Sequence, residues 1–402
     1  MLVVVDDLFS SYLESPGVFR DKNVLTSNFI PKKITHREEQ IKQLASVVAP
    51  ALRGYRPNNV FVFGTVGTGK TITAHFVMKE LLEAARKNKT AKIKTIYINC
   101  KMKKVADTEY RLFAQLLKEF GCNVPDTGLP TDVLYRKFFN IIDQEEQIII
   151  LVLDEIDALV NKVGDEFLYN LTRVNTDLKK AKLMIIGITN DLSFSDALDA
   201  RVKSSLGEEE IIFPPYNAMQ LRDILLERAT MGFNDGVLEE AVINKCAAIA
   251  AQEHGDARRA IDLLRVAGEI AERNNETKIT EKHVDMAEQV IDMDRVTEAV
   301  KSQPKQSQAV LYAIIKSVEE KDHSLLTGDV YDAYKEICDV NGLKVLTQRR
   351  VGDLIAELDM LGIIHTKVIS HGRYGRSREI SLAIGGNVLN NVKKILIDRF
   401  GE

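Results

Sequence analysis

The stretch FVFGTVGTGKTIT, residues 61–73, contains a glycine-rich loop of the kind that binds phosphate groups. It fits the pattern GxxxxGK[ST] from Gly64 onward. Glycines let backbone N–H groups point at phosphate oxygens, while Lys70 can reach the β- and γ-phosphates and the Thr71 hydroxyl can bind Mg²⁺. The predicted nucleoside triphosphate site consists of Val66, Gly67, Thr68, Gly69, Lys70 and Thr71.

An acidic pair and an amide end two long aliphatic runs further along the chain. Asp154 and Glu155 close IIILVLDE, and Asn190 closes LMIIGITN. Doubly wound sheets bind their ligands at the carboxyl ends of the strands. We expect Asp154 to hold the metal with Thr71, and Glu155 to polarise an attacking water. Asn190 can orient that water or the γ-phosphate, although an ordinary turn remains an alternative for all three positions.

Strands alternate with helices up to about residue 213. The near-continuous aliphatic runs QIIILVLDE and AKLMIIGITN are typical of a parallel sheet that is covered on both faces. The predicted fold class is therefore α/β, with a doubly wound parallel sheet in a base domain at residues 1–213. Residues 102–142 are predicted to be a helical insertion, interrupted by GCNVPDTGLPTD. The first 30 residues show no sustained period and are predicted to be an extended arm.

The pattern becomes wholly helical after the FPPYN segment, which we predict to be a rigid hinge. Residues 214–294 are predicted to form a helical lid, in which Asn217 and Gln220 make a capping box. The polar residues 302–308 predict a linker. Residues 295–402 then have the order of a winged helix-turn-helix, three helices followed by a two-stranded hairpin. Its helices are predicted at about residues 307–320, 328–341 and 347–361.

Two features of this last domain are candidates for contact with DNA. Arginines at a hairpin tip fit a narrow minor groove or bind phosphates, and a tyrosine there can reach phosphate or sugar. The first turn of a well-anchored recognition helix meets base edges. The hairpin candidates are Arg373, Tyr374, Arg376 and Arg378, and the helix candidates are Gln348, Arg349 and Arg350. The apolar face of that helix is predicted to be Val351, Leu354, Ile355, Leu358 and Leu361. Solvated surface remains the alternative for both features.

The composition is that of a globular protein, with 45% hydrophobic and 28% charged residues. A formal net charge of -4 provides no overall basic field, so any DNA binding must be local. The longest aliphatic run, residues 148–153, is far below the roughly 20 residues that cross a bilayer, and no secretion signal is evident. We expect a protein that stays inside the cell without a membrane partner. Four cysteines without a CxxC pair predict buried free thiols.

Six motifs occur in a fixed order ahead of the winged-helix pattern, namely GTVGTGKT, VLDEIDALV, IGITND, LDARVKSSL, FPPYNA and EHGDARRAIDLLRVAGEIA. Together they resemble the AAA+ ATPases and, among these, the archaeal origin-recognition replication initiators. The resemblance covers almost the whole chain. It implies a cytoplasmic, nucleoid-associated initiator that binds ATP or ADP with Mg²⁺ and is a slow, switch-type ATPase. The implied partners are origin double-stranded DNA, the MCM helicase and other initiator subunits.

The resemblance also implies roles for residues around the nucleotide. Asn190 matches the sensor at the end of the fourth strand. Arg258, in the GDAR motif, matches the sensor of the lid, with Arg259 as the alternative. A guanidinium delivered from the lid would make the angle between base and lid depend on the γ-phosphate. Tyr216 and Arg228 match positions that contact the nucleotide at the hinge.

The resemblance implies two further contacts, one with the nucleotide of a neighbouring chain and one with DNA. Arg201 matches the position from which these ATPases present an arginine to a neighbour's nucleotide, a contact that contributes on the order of 10³ to 10⁵ in rate. Lys203 is an alternative for this role, and a structural salt bridge is the alternative for Arg201. The insertion is expected to touch DNA through residues 123–131.

Two other functions are compatible with the same domains. A DNA-binding transcription regulator would use the winged helix and keep the nucleotide as a structural ligand. A clamp-loader-like ATPase would turn over ATP quickly in a stable ring. Glu155 and Arg201 argue against the regulator, because a structural ligand needs neither a catalytic acid nor an arginine finger.

Overall fold

The computed structural model describes the chain with short gaps, over residues 17–26, 29–88, 91–101, 108–125, 128–206, 209–320, 325–370 and 376–401. The chain forms two compact units, Met1–Val284 and Asp285–Glu402. The first unit contains the predicted base and most of the predicted lid, and the second contains the predicted winged helix. The boundaries at residues 213 and 294 stay predictions.

The first unit is built on a five-stranded sheet with the order β2-β3-β4-β1-β5, in which every neighbouring pair is parallel. The strands are Val60–Phe63 (β1), Ile93–Asn99 (β2), Ile148–Asp154 (β3), Lys182–Thr189 (β4) and Glu209–Ile212 (β5). Successive residues of β3 enter hydrophobic cores on opposite faces, Leu151 in one and Val152 in the other. The predicted doubly wound parallel sheet is confirmed.

Eleven helices of the described residues surround this sheet and form the lid. They are Glu38–Val48 (α1), Lys70–Asn88 (α2), Glu109–Glu119 (α3), Thr131–Ile142 (α4), Ile156–Val163 (α5), Glu166–Arg173 (α6), Phe194–Ala197 (α7), Ala200–Leu206 (α8), Ala218–Gly232 (α9), Glu240–Gln252 (α10) and Ala257–Arg273 (α11). Short 3₁₀ helices occur at Lys22–Leu25, Ala49–Arg53 and Val174–Thr176. The two helices of the insertion, α3 and α4, bury Phe113 and Phe138 in the core on one face of the sheet. The insertion is therefore an integral layer of the base.

The lid begins as the sequence predicts and also holds the N-terminal segment. Asn217 and Gln220 form the predicted capping box at the start of α9. The prediction of an extended arm is wrong for residues 17–26. Val24 and Leu25 are buried, and the ring of Phe19 stacks on Phe233 at 5.0 Å. The apolar side chains of this segment therefore dock on the lid helices, because burial removes them from water.

The second unit is a winged helix to which the described residues add a helix before and a helix after. It contains most of Glu281–Ser302 (α12), which spans the boundary, followed by Lys305–Glu320 (α13), Leu325–Leu326 (β6), Thr327–Val340 (α14), Gln348–Met360 (α15), Ile364–Ser370 (β7), Arg376–Leu382 (β8) and Gly386–Phe400 (α16). The three strands form an antiparallel sheet with the order β6-β8-β7. The predicted three helices and hairpin are confirmed.

Two local predictions for this unit are wrong. Residues 302–308 are not a linker, because α13 begins at Lys305 and Gln308 is buried, with Nε2 donating to the Val300 carbonyl at 2.8 Å. Leu361 caps the end of α15 and is exposed. The sequence pattern also missed α16, which adds its apolar side to the core. Among the described residues, no helix is long and apolar enough to span a membrane.

A glycine at the centre of the sheet provides a test of this packing. Gly187 of β4 pairs with Phe61 of β1, and a Cβ on Gly187 would lie 2.1 Å from the Phe61 ring. We expect Gly187→Ala to lower the free energy of unfolding by about 1–3 kcal/mol, as overpacking does in cores. Urea unfolding measures this change. In the double variant with Phe61→Leu, the smaller side chain should relieve the collision. The loss of stability should therefore be smaller than the sum of the two single losses. Additive effects would contradict the contact.

Candidate functional site

A cavity of about 480 Å³ lies at the carboxyl edge of the sheet, between the phosphate loop and the lid. The loops that follow β1, β3 and β4 converge there, since the three strands are parallel neighbours. The cavity brings together twelve of the predicted site residues, Val66, Gly67, Thr68, Gly69, Lys70, Thr71, Asp154, Glu155, Asn190, Tyr216, Arg228 and Arg258. Its remaining walls include the N-terminal segment, residues 17–26 and 29–35, through Thr26, Phe29 and Ile30, which the sequence reasoning did not assign to the site.

Lys70 is the buried cation of the phosphate loop, with 5% of its surface exposed. Its Nζ donates to the carbonyls of Gly64 and Thr65 at 2.8 and 2.7 Å, and to Asn190 Oδ1 at 2.9 Å. Burial lowers the pKa of Lys70 to about 8, while the negative charge of Asp154 opposes that shift. All three hydrogen bonds go to neutral oxygens. An anionic phosphate would therefore supply the negative charge that these partners do not provide.

Thr71 and Asp154 meet directly beside the loop. Thr71 Oγ1 donates to Asp154 Oδ2 at 2.8 Å, and the backbone N–H of Glu155 donates to Asp154 Oδ1 at 2.9 Å. A hydroxyl and a carboxylate are the hard oxygen ligands that Mg²⁺ prefers. The two residues therefore fit the magnesium ion that the sequence predicts, and the ion would neutralise charge on neighbouring phosphates.

Glu155 sits at a strained turn directly after β3, with a φ of 52° in the left-handed region. Its Oε2 lies 3.0 Å from Lys101 Nζ, and its Oε1 accepts from Asn99 Nδ2 at 3.4 Å. All three side chains line the cavity. The carboxylate is thus directed into the site and is engaged by a cation in this structure.

The sequence reasoning missed Tyr97 and His75 as cavity residues. The Tyr97 hydroxyl donates to Asp154 Oδ2, and the His75 ring lies against the Tyr97 ring with centroids 4.2 Å apart. Alternation along β2 places residues 97 and 99 on the same side of the strand. Because Asn99 pairs with Asp154 across the sheet, Tyr97 could have been expected near Asp154. That expectation requires the strand order, which the sequence pattern alone does not give.

The lid touches the phosphate loop at Gly67. The backbone N–H of Ala257 donates to the Gly67 carbonyl at 3.2 Å. Gly67 has a φ of 74°, and a Cβ there would lie 1.6 Å from Asp256 Oδ1. Arg258 follows on the same helix and lines the cavity, whereas Arg259 Nε pairs with Glu253 Oε2 at 2.9 Å. This placement favours Arg258 over Arg259 as the residue that the lid presents to a ligand.

Arg37 was also missed, because it lies outside the motifs that the sequence offered for the site. Arg37 is 2% exposed, and its Nε donates to the Thr68 carbonyl of the phosphate loop at 2.9 Å. The carbon of its guanidinium lies 3.7 Å from the Tyr216 ring centroid. Burial lowers the pKa of Arg37. Tyr216 in turn packs on Gly69, so it contacts the phosphate loop as well as the hinge.

Arg228 has an additional role that was not predicted. Its Nη1 donates to the Val24 carbonyl at 3.0 Å and its Nη2 to the Phe29 carbonyl at 3.2 Å. The guanidinium also lies over the Phe29 ring, 4.6 Å from its centroid. Arg228 therefore lines the cavity while it fixes the N-terminal segment that forms one of the cavity walls.

Arg201 does not line the chain's own cavity. It is exposed, and its Nε lies 3.1 Å from Asp199 Oδ1. Lys203 Nζ lies 3.9 Å from Asp196 Oδ1. The structural salt bridge considered for Arg201 is thus present, at the surface. An exposed pair of this kind is weak and is compatible with a second role in contact with another chain.

The predicted DNA-facing residues of α15 are exposed. Gln348, Arg349 and Arg350 form its first turn, and Arg350 lies 3.6 Å from Asp353. Arg378 Nη1 donates to the Gly352 carbonyl at 3.0 Å, which ties β8 to α15.

Some predicted DNA-facing positions are not part of the described structure. Arg373 and Tyr374 lie outside the described residues, and only the backbone of Arg376 is described. Within residues 123–131, positions 126 and 127 also lie outside them.

Three family models match successive parts of the chain. They are an AAA domain at residues 53–193, a Cdc6 AAA+ ATPase-type lid domain at residues 222–289 and a CDC6 C-terminal winged helix domain at residues 298–391. The ORC1-type DNA replication protein of Pyrococcus furiosus is 52% identical over 97% of this chain and 93% of its own length. This chain belongs to the ORC1-type DNA replication proteins. The family match confirms the resemblance to archaeal AAA+ replication initiators.

Other relatives of this ORC1-type chain agree. The ORC1-type DNA replication protein 1 of Methanosarcina acetivorans is 50% identical over 98% of the chain and 94% of its own length. The structure of the Aeropyrum pernix ORC1 protein in complex with DNA matches with a TM-score of 0.85 and 43% identity, and covers 95% of this chain and 98% of that one. The fold class, an AAA+ base with a lid and a C-terminal winged helix, is thereby confirmed.

The contact between phosphate loop and lid can be tested in this ORC1-type chain by Gly67→Ala. The new Cβ would collide with Asp256, so we expect nucleotide affinity to fall about tenfold or more, as measured by fluorescent ADP titration. Gly54→Ala is a matched control, because Gly54 has a φ of 77° with open space around it. It adds the same backbone strain without the collision. Equal affinities of the two variants would show that this contact does not shape the site.

Proposed function

We propose that this ORC1-type chain initiates DNA replication by binding origin DNA, and that ATP or ADP with Mg²⁺ occupies its cavity as a switch. One observation carries this proposal. The phosphate loop, the acidic pair, Asn190 and the lid residue Arg258 all line a single cavity. A ligand that fills it contacts base and lid together, so replacing a triphosphate by a diphosphate changes the contacts available to Arg258.

In this proposal Lys70 and the loop bind the β- and γ-phosphates, and Thr71 and Asp154 hold Mg²⁺. Glu155 polarises water and Asn190 orients it. Hydrolysis by the isolated chain is slow, because Arg201 lies outside its own cavity and would supply its charge only to a neighbour's nucleotide. Slow hydrolysis is what a switch requires, since each nucleotide state must persist long enough to be read.

Other initiator subunits on DNA are proposed partners through Arg201. Its side chain is 81% exposed and lies outside its own cavity, so it can reach a nucleotide only on a neighbouring chain. The MCM helicase is the proposed downstream partner, recruited to the origin that the nucleotide-bound initiator marks. Such a protein acts in the cytoplasm, in association with the nucleoid.

DNA binding is proposed for the winged helix. Gln348, Arg349 and Arg350 are exposed at the start of α15, where recognition helices meet base edges. The predicted contact also includes Arg373, Tyr374, Arg376 and Arg378. The structural relative from Aeropyrum pernix, an ORC1 protein in complex with DNA, supports this proposal.

Lys70→Ala tests the nucleotide part of the proposal. We expect ADP affinity to fall by about 10- to 100-fold, because charge-assisted hydrogen bonds to the phosphates are lost. Calorimetric titration measures this loss. Lys79→Ala is the control, since Lys79 is exposed on the same helix. DNA binding measured without nucleotide should be unchanged in both variants. Undiminished ADP affinity in Lys70→Ala would refute the phosphate assignment.

Salt dependence tests the DNA part of the proposal. Five basic contacts with DNA, from Arg349, Arg350, Arg373, Arg376 and Arg378, would give a slope of about -4 to -5 for log K against log salt concentration. We expect Arg349→Ala to make the slope less steep by about 1, as measured by fluorescence anisotropy with an origin duplex. Lys393→Ala removes an equal charge that is already paired with Glu319 on another helix, and it should leave the slope unchanged. A wild-type slope near zero would exclude DNA binding by this surface.

A further inference from the structure

The carboxylate of Asp154 is held by three donors from three parts of the base. Its Oδ2 accepts from Thr71 Oγ1 at 2.8 Å and from the Tyr97 hydroxyl, and its Oδ1 accepts from the Glu155 backbone N–H at 2.9 Å. A carboxylate offers about four acceptor positions. Both positions of Oδ2 are therefore filled, and one position remains on Oδ1. The side chain cannot rotate without breaking at least one of these bonds.

Tyr97 is itself held in place. Its strand β2 pairs with β3, which brings Tyr97 opposite Val152 and Asn99 opposite Asp154. The His75 ring lies against the Tyr97 ring at 4.2 Å, so the phenol is packed on one side and faces the cavity with its hydroxyl. A phenol is protonated at neutral pH, so the Tyr97 hydroxyl is a donor to Asp154.

We propose that Tyr97 is a positioning residue for the magnesium site, which orients Asp154 so that Oδ1 is presented to the ion or to one of its waters. Tyr97 does not contact the ion. It acts through Asp154, as outer groups do when they orient metal-binding carboxylates. The inference rests on the proposed Mg²⁺–nucleotide site and adds a residue that the phosphate-loop and acidic motifs do not contain.

Tyr97→Phe removes only the hydroxyl and tests this role. We expect the affinity for Mn²⁺ in the presence of ADP to fall about tenfold, as measured by electron paramagnetic resonance of free Mn²⁺. The affinity for ADP in EDTA should equal that of the wild type, because the phosphate loop is intact. A general loss of structure would lower both affinities. An unchanged Mn²⁺ affinity would overturn the inference.

Two further variants complete the test. Tyr55→Phe is the matched control, since Tyr55 is 65% exposed and the exchange removes the same atom. His75→Leu leaves the hydroxyl and removes the ring that packs on Tyr97, so it should weaken Mn²⁺ binding in the same direction but less. An effect of Tyr55→Phe equal to that of Tyr97→Phe would overturn the inference.

The wild-type measurements separate this inference from the proposed function. A wild type that binds no ADP would refute the nucleotide site. A wild type that binds ADP without any dependence on Mn²⁺ or Mg²⁺ would refute the metal site and this inference together. A metal-dependent wild type with an equally metal-dependent Tyr97→Phe variant would refute only the role of Tyr97.

Discussion

The phosphate loop and the lid helix α11 touch at Gly67, with no room for a side chain. The Gly67 carbonyl accepts from the Ala257 backbone, and the Asp256 carboxylate occupies the space of a Cβ. Asp256 also caps α11, since its Oδ1 accepts from the Arg258 N–H at 2.7 Å. The first turn of α11 therefore packs directly against the phosphate loop. The loop and the first turn of α11 therefore both determine the shape of the cavity.

Three buried cations connect the remaining parts of the site, and backbone carbonyls solvate all of them. Arg37 joins the phosphate loop to the hinge, Lys70 closes the loop on itself, and Arg228 holds the N-terminal segment against the lid. Burying a cation is unfavourable unless its donors are satisfied. Carbonyl oxygens satisfy these donors but leave the positive charge, as the lowered pKa of Lys70 reflects. The cavity therefore favours a polyanion, which is the charge type of a nucleotide.

The winged helix has exposed arginines in a chain that is acidic overall. The whole chain has a net charge of -4, so any attraction to a polyanion such as DNA has to come from a local basic surface. Arg349 and Arg350 lie in the exposed first turn of α15, while Arg378 connects β8 to the same helix through the Gly352 carbonyl. Arg378 therefore has a structural role in addition to its positive charge. This hydrogen bond fixes α15 and strand β8 relative to each other.

Local patterns in the sequence determined the elements whose residues are close along the chain. The run from Gly64 to Thr71 identified the phosphate loop, the aliphatic runs identified the buried strands, and helix and hairpin order identified the winged helix. Only the tertiary structure decided the roles of Tyr97, Arg37 and Arg228, because their partners lie 57, 31 and about 200 residues away. It also showed that residues 302–308 begin a buried helix and that α16 completes the second core. Periodicity reports which side of an element is buried, whereas hydrogen bonds across the sheet and to the lid depend on which elements become neighbours.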